Sequence, residues 1–101
     1  MNIIEIPNLN ENPKSSRQVI INNKSYTFNF EWLDEFGILD IYLDDVVLVH
    51  GRALTTASNL VGRVKNDDLF NGGLYLINKN VDYVEPTQET LYTDFYLVWV
   101  E

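Results

Sequence analysis

The chain has no cysteine, one histidine (His50) and one methionine. Without thiols it can form neither a disulfide nor a thiolate metal site, and the absence fits a reducing compartment of synthesis. A lone histidine leaves serine or threonine chemistry with one side chain of the usual base, and no serine stands in a Gly-x-Ser-x-Gly elbow. Basic residues are also few, with seven Lys and Arg against fifteen Asp and Glu and a formal charge of −8. That balance works against neutralising phosphates, and the cations are scattered (Lys14, Arg17, Lys24, Arg52, Arg63, Lys65, Lys79), so nucleic-acid binding is not expected. No apolar run approaches bilayer-spanning length, and "MNIIEIPNLNENPKSSRQ" has no basic start followed by a long apolar stretch. Neither a membrane segment nor a secretory signal is expected.

What is present is hydrophobic and aromatic. Of the 101 residues 46% are hydrophobic and 13% aromatic, enough for a folded chain, and the length predicts one domain over residues 1–101. A domain of this size is marginal in how much surface it can bury, so a covering partner would help. Period-two patterning runs almost throughout, with turn residues every eight to twelve positions. This predicts an all-β fold, a small antiparallel barrel or sandwich with at most one short helical turn.

Ile3 to Ile6 reads as a short strand ended by Pro7. Arg17 to Ile21 begins the next, and Asn22-Asn23, two residues that tolerate positive φ, turn it into Ser25 to Leu33. Tyr26, Phe28, Phe30 and Trp32 then share one face and Thr27, Asn29 and Glu31 the other. After a turn over Asp34 to Gly37, Leu39, Ile41 and Leu43 alternate with Asp40, Tyr42 and Asp44. Asp44-Asp45 turn the chain into "VVLVH", ended by Gly51. "SNLVGR" reads as a short strand, "KNDDLFNGG" as a loop or single helical turn, and Gly73 to Asn78 as a strand. The predicted core is Phe28, Phe30, Trp32, Leu39, Ile41, Leu74, Leu97 and Trp99.

The last strand, "DFYLVWV", differs. Phe95, Leu97 and Trp99 occupy one face, while Tyr96, Val98 and Val100 make the other apolar too, so the strand is either central in the fold or pressed against another chain. Lys79 to Thr93 is long and polar, contains Pro86, and reads as a loop or arm. These segments supply the candidate interface residues: Tyr96, Val98 and Val100 from the strand, Tyr83 and Tyr92 from the loop.

Signals for chemistry are weak. His50 beside Gly51 reads as a hydrogen-bonded structural histidine. Asp34-Glu35, Asp44-Asp45 and Asp67-Asp68 are adjacent acids, which on a strand point to opposite faces, and none sits in a calcium-binding loop; they read as turn residues. Trp32, Tyr42, Tyr75, Tyr83 and Trp99 could stack on sugars, but both tryptophans fall on predicted core faces. "NKS" at Asn23 to Ser25 fits a glycosylation sequon without a secretory context. "FNGGLYLI" precedes no helix, so it is no phosphate loop. No catalytic residue, cofactor or metal is expected.

The order and spacing of these elements resemble the small plug protein of contractile-tailed bacteriophage baseplates. The likeness rests on Ile6-Pro7, Tyr26 to Trp32, Leu39-Asp40-Ile41, Gly51, Asn59-Leu60-Val61, Gly73-Leu74, Glu85-Pro86 and Tyr96 to Val100. The resemblance implies a non-enzymatic virion component, made in the bacterial cytoplasm and placed at the centre of the tail baseplate. It implies contact with hub, spike or tail-tube proteins, as a symmetric ring of copies, with an acidic face that would repel passing DNA. The alternative from the residues alone is a free acidic binding protein, either an inhibitor that mimics nucleic acid or a carbohydrate-binding module.

Overall fold

The computed structural model describes residues 2–56, 59–61, 72–80 and 84–100. Its elements in chain order are β1 (Asn2–Ile4), β2 (Lys14–Ile21), β3 (Lys24–Leu33), β4 (Phe36–Leu43), β5 (Val46–Ala53), β6 (Gly73–Asn78), α1 (Thr90–Asp94) and β7 (Phe95–Val100). They build two antiparallel sheets, a four-stranded meander in the order β2-β3-β4-β5 and a three-stranded sheet in the order β1-β7-β6. The architecture is thus a sandwich, the second of the two forms left open by the sequence pattern. No helix among the described residues is long and apolar enough to cross a membrane.

Turn chemistry sets the meander. Asn22 and Asn23 have φ of 53° and 66°, and Asp44 and Asp45 have 48° and 69°. Two consecutive left-handed residues give the turn whose twist matches that of the flanking strands, and Asn and Asp adopt this conformation at low cost. Between Leu33 and Phe36 the turn is two residues, Asp34 and Glu35. Gly37, expected in that turn, instead lies within β4 opposite Trp32. A Cβ there would come within 3.0 Å of Leu54 Cδ1 and 3.1 Å of Trp32 Cε3, so the missing side chain lets the indole lie on the strand.

The core fills the space between the sheets. Tyr26, Phe28, Phe30, Leu39 and Ile41 come from the meander, and Ile4, Leu74, Leu76, Leu97 and Trp99 from the other sheet, all buried in one cluster. All eight predicted core residues are buried, Trp32 the least so at 9% exposed. Its indole N–H donates to the Asp34 carbonyl at 3.1 Å, so the polar edge of the ring is satisfied where it reaches the surface.

Several segments depart from the sequence pattern. β1 stops at Ile4, and Ile6, Pro7 and Leu9 leave the sheet to bury themselves against the core. β2 begins at Lys14, three residues earlier than expected. Gly51 does not end β5: Arg52 and Val49 pair with Leu39 and Ile41, so His50 and Gly51 together oppose Asp40 in a bulge. Gly51 has φ +62°, and its amide donates to Asp40 Oδ1. Asn59 to Val61 form no strand. Asn59 Oδ1 accepts from the amides of Val61 and Leu74, and Leu60 N–H donates to the Leu74 carbonyl, which covers the start of the β6 edge. The stretch Lys65 to Asn71 lies outside the described residues, and the short helix falls in the supposed arm, where Leu91 is fully buried. The arm is therefore tied down at both flanks. Glu85 accepts from the amide and hydroxyl of Thr56, and Gln88 Nε2 donates to the Leu9 carbonyl.

Trp32→Ala should cost about 3 to 5 kcal/mol through lost transfer energy and the cavity left behind, measured by denaturant unfolding. Gly51→Ala meets no atom within 4 Å, so its expected cost of roughly 1 kcal/mol is conformational alone, and the same titration would read it.

Candidate functional site

Register decides which side chains share a face. In the three-stranded sheet Val98 stands between Ile3 of β1 and Tyr75 of β6, Tyr96 stands opposite Ile77, and Val100 opposite Gly73. Side chains alternate along a strand, so with Leu97, Trp99, Leu74 and Leu76 pointing into the core these residues all face outward. The result is an outer sheet face of Ile3, Gly73, Tyr75, Ile77, Tyr96, Val98 and Val100, with no charged residue. Ile3 is 61% exposed, while Tyr75, Ile77 and Val100 are each exposed by close to two-fifths. Tyr75 curls back over Gly73, whose missing Cβ would stand 2.5 Å from the ring. Val98, on the central strand between Ile3 and Tyr75, is only 7% exposed within the chain itself.

The outer face of the meander has the opposite character. Ser16, Gln18, Ser25, Thr27, Asn29, Glu31 and Asp40 lie there with Lys14, Ile20, Ile38, Tyr42 and Val47, and the first five are joined by side-chain hydrogen bonds: Ser16 Oγ to Asn29 Oδ1 at 2.7 Å, Gln18 Nε2 to Thr27 Oγ1 at 2.9 Å, and Ser25 Oγ to Gln18 Oε1 at 3.2 Å. A face whose polar groups bond to each other and to water has no need of a partner. The acids of the two meander turns, Asp34-Glu35 and Asp44-Asp45, lie at opposite ends of β4, about 25 Å apart at the usual rise per residue.

The proposed interface residues are thus distributed unevenly. Tyr96, Val98 and Val100 share the outer face as the alternation implied, although Val98 is covered by its own neighbours. Tyr92, 45% exposed on α1, does not lie on the sheet but meets Tyr96 at its end, where both line a cleft of about 310 Å³ with Glu5, Ile6, Lys79 and Phe95. Tyr83 lies outside the described residues. Sequence reasoning missed Ile3, Tyr75 and Ile77. The signal for two of them was present, because "GLYLIN" is apolar on both faces in the same way as "FYLVWV".

The chemistry-bearing candidates do not converge. His50 is 81% exposed and its Nδ1 lies 3.4 Å from Asp40 Oδ1, which also accepts from Gly51. The contact spans the β5 bulge and β4, and among the described residues no serine or threonine hydroxyl is bonded to the imidazole. Among the described residues no three His, Asp or Glu side chains gather as a metal site would require. Trp32 and Trp99 are core, so a sugar platform would be left with tyrosines alone.

A sequence model of the family described as the cyanophage baseplate Pam3 plug gp18 matches residues 1–101. No curated protein matches the chain.

The two apolar positions should respond differently to charge. Val98→Lys buries an unpaired ammonium and should lower the melting temperature by about 10 °C or more. Ile77→Lys lets its ammonium reach water and should shift it by only a few degrees, as followed by circular dichroism.

Proposed function

Because this chain belongs to the family of the cyanophage baseplate plug Pam3 gp18, and is thereby a component of the virion tail, we propose that it works as a non-catalytic bridge. It seats the outer face of the β1-β7-β6 sheet against a neighbouring hub, spike or tail-tube protein. The single observation that supports this reading is the uncharged outer face, on which Ile3, Tyr75, Ile77, Tyr96 and Val100 keep apolar surface in water. In a chain with 22% charged residues such a face is an energetic loss until it is covered, at about 25 cal/mol per Å² of apolar area. The adjoining cleft between Tyr92 and Tyr96 would extend the contact around the end of the sheet.

Copies arranged in a ring would then turn the hydrogen-bonded face of the meander, with Glu31 and Asp40, away from the contact. A plug of this kind presents negative charge to the axial channel and repels DNA that passes. The chain is made in the host cytoplasm and enters the tail as it assembles.

Ile77→Lys and Tyr96→Lys, folded as judged by melting temperature, should each reduce incorporation into purified tails by an order of magnitude or more, read by immunoblot against a tail-tube protein. Incorporation at the wild-type level by both variants would exclude this face as the contact.

A further inference from the structure

The two sheets expose four outer strand edges, and three of them are closed to another strand. β1 is only three residues long, β6 is covered at Leu74 by Asn59 and Leu60, and β5 is interrupted twice, at the Gly51 bulge and again where Val49 and Val47 pair with Ile41 and Tyr42. Bulges, short length and covering segments are the usual means of blocking strand addition. The outer edge of β2 has none of them. Its eight residues keep one unbroken register with β3, from Lys14 opposite Glu31 to Ile21 opposite Lys24.

The hairpin fixes which backbone groups of β2 point away from β3. A two-residue turn at Asn22-Asn23 makes Ile21 and Lys24 a hydrogen-bonded pair, and bonded pairs alternate along the ladder. Odd-numbered residues of β2 therefore bond to β3, and the amides and carbonyls of even-numbered ones face outward. The Lys14 amide is taken by Asn12 Oδ1 at 3.4 Å. Those of Ser16, Gln18 and Ile20 have no partner among the described residues. Beside this edge a shallow groove of about 270 Å³ runs between β2 and β1, and on it stand Ile3 and Ile20, exposed by 61% and 70%.

We propose that β2 accepts an extended segment of another protein as a fifth strand of the meander. The segment is acidic toward its C-terminal end and apolar toward its N-terminal end, and it runs antiparallel to β2. Charge supports this choice of partner. Three of the seven cations of this acidic chain lie on the β2-β3 hairpin, at Lys14, Arg17 and Lys24, against one acid, Glu31 opposite Lys14; β2 itself carries no acid, and Glu5 is the one acid beside the groove. Lys14 and Arg17 occupy the first half of the strand and half-buried Val19 and exposed Ile20 the second, Ile21 being buried in the core, so the incoming strand meets cations with its C-terminal half and apolar side chains with its N-terminal half. The same distribution disfavours a second copy of this chain, because two antiparallel β2 strands would bring four cations to one seam. Of the apolar face of the other sheet, Ile3 alone borders this groove.

The probe is a ten-residue peptide whose first half alternates valine with threonine and whose second half alternates glutamate with threonine. Its control replaces each glutamate by lysine. Binding followed by amide hydrogen exchange in the wild-type protein should protect Ser16, Gln18 and Ile20, and the glutamate peptide should bind at least tenfold more tightly than the lysine peptide. Gln18→Pro removes an outward amide without breaking a bond to β3 and should abolish binding, while Gln18→Ala, which loses the same side-chain bonds to Thr27 and Ser25, should keep it. Should the proline variant fail to fold, Arg17→Glu serves in its place and must reduce the preference for glutamate. No binding at millimolar peptide, equal affinity for both peptides, binding retained by Gln18→Pro, or protection of these amides by the protein's own concentration would each overturn the proposal.

Discussion

A two-sheet sandwich has one interior, and every strand has two faces. The core is closed by one face of each sheet, which the chain satisfies with Tyr26, Phe28, Phe30, Leu39 and Ile41 on one side and Leu74, Leu76, Leu97 and Trp99 on the other. In the meander the second face is mostly polar, with Ile20 and Val47 as its exposed apolar residues. In the smaller sheet it is apolar on all three strands, and the outer face of this sheet is where the sequence departs from what a free-standing small domain needs. The rest of the surface is organised around that departure. Segments that would otherwise be loose are pinned to the core by Ile6, Leu9, Leu54, Leu60 and Leu91, leaving the sheet face open instead of folding over it.

Charge follows the same division. The meander holds Glu31 and Asp40 on its outer face and acid pairs at two of its turns, where Asp34, Asp44 and Asp45 also take positive φ. One residue type thus serves turn geometry and charge together, because a short polar side chain lowers the cost of the left-handed conformation. The outer face of the smaller sheet has no acid at all. The meander's six acids stand against four cations, Lys14, Arg17, Lys24 and Arg52, so it holds only a small part of the net charge of −8; what spares the apolar sheet a desolvation cost is that none of its outward side chains is charged.

Much of this fold could be read from the sequence because local chemistry and tertiary position agree there. The Asn22-Asn23 hairpin, the alternation from Tyr26 to Trp32 and the limits of β6 each follow from residues within a few positions of one another. The failures are non-local. Nothing near Gly51 signals that β5 continues through it, since the bulge depends on Asp40, eleven residues back. Nothing around Asn59 signals that its amide oxygen caps β6, fifteen residues on. Lys79 to Thr93 looks like a free arm until Glu85 finds Thr56 and Leu91 finds the core. For the candidate site, Tyr96, Val98 and Val100 were legible from one strand, but that β1 and β6 flank them, and that Val98 is the one they cover, is a property of strand order.

Face and edge present different physics to a neighbour. Burial of Ile3, Tyr75, Ile77 and Tyr96 is non-directional, tolerates small rotations, and scales with area. Strand pairing at Ser16, Gln18 and Ile20 is directional and fixes register to a single residue, because a slip by one turns every side chain to the other face. A subunit held by an apolar face alone could slide over its neighbour. Ile3 and Ile20 stand on opposite sides of the groove beside β2, so the apolar face and the open edge meet along one line of the sandwich. A neighbour engaging both would be fixed in translation by the edge and held by the face, a constraint that neither contact supplies alone.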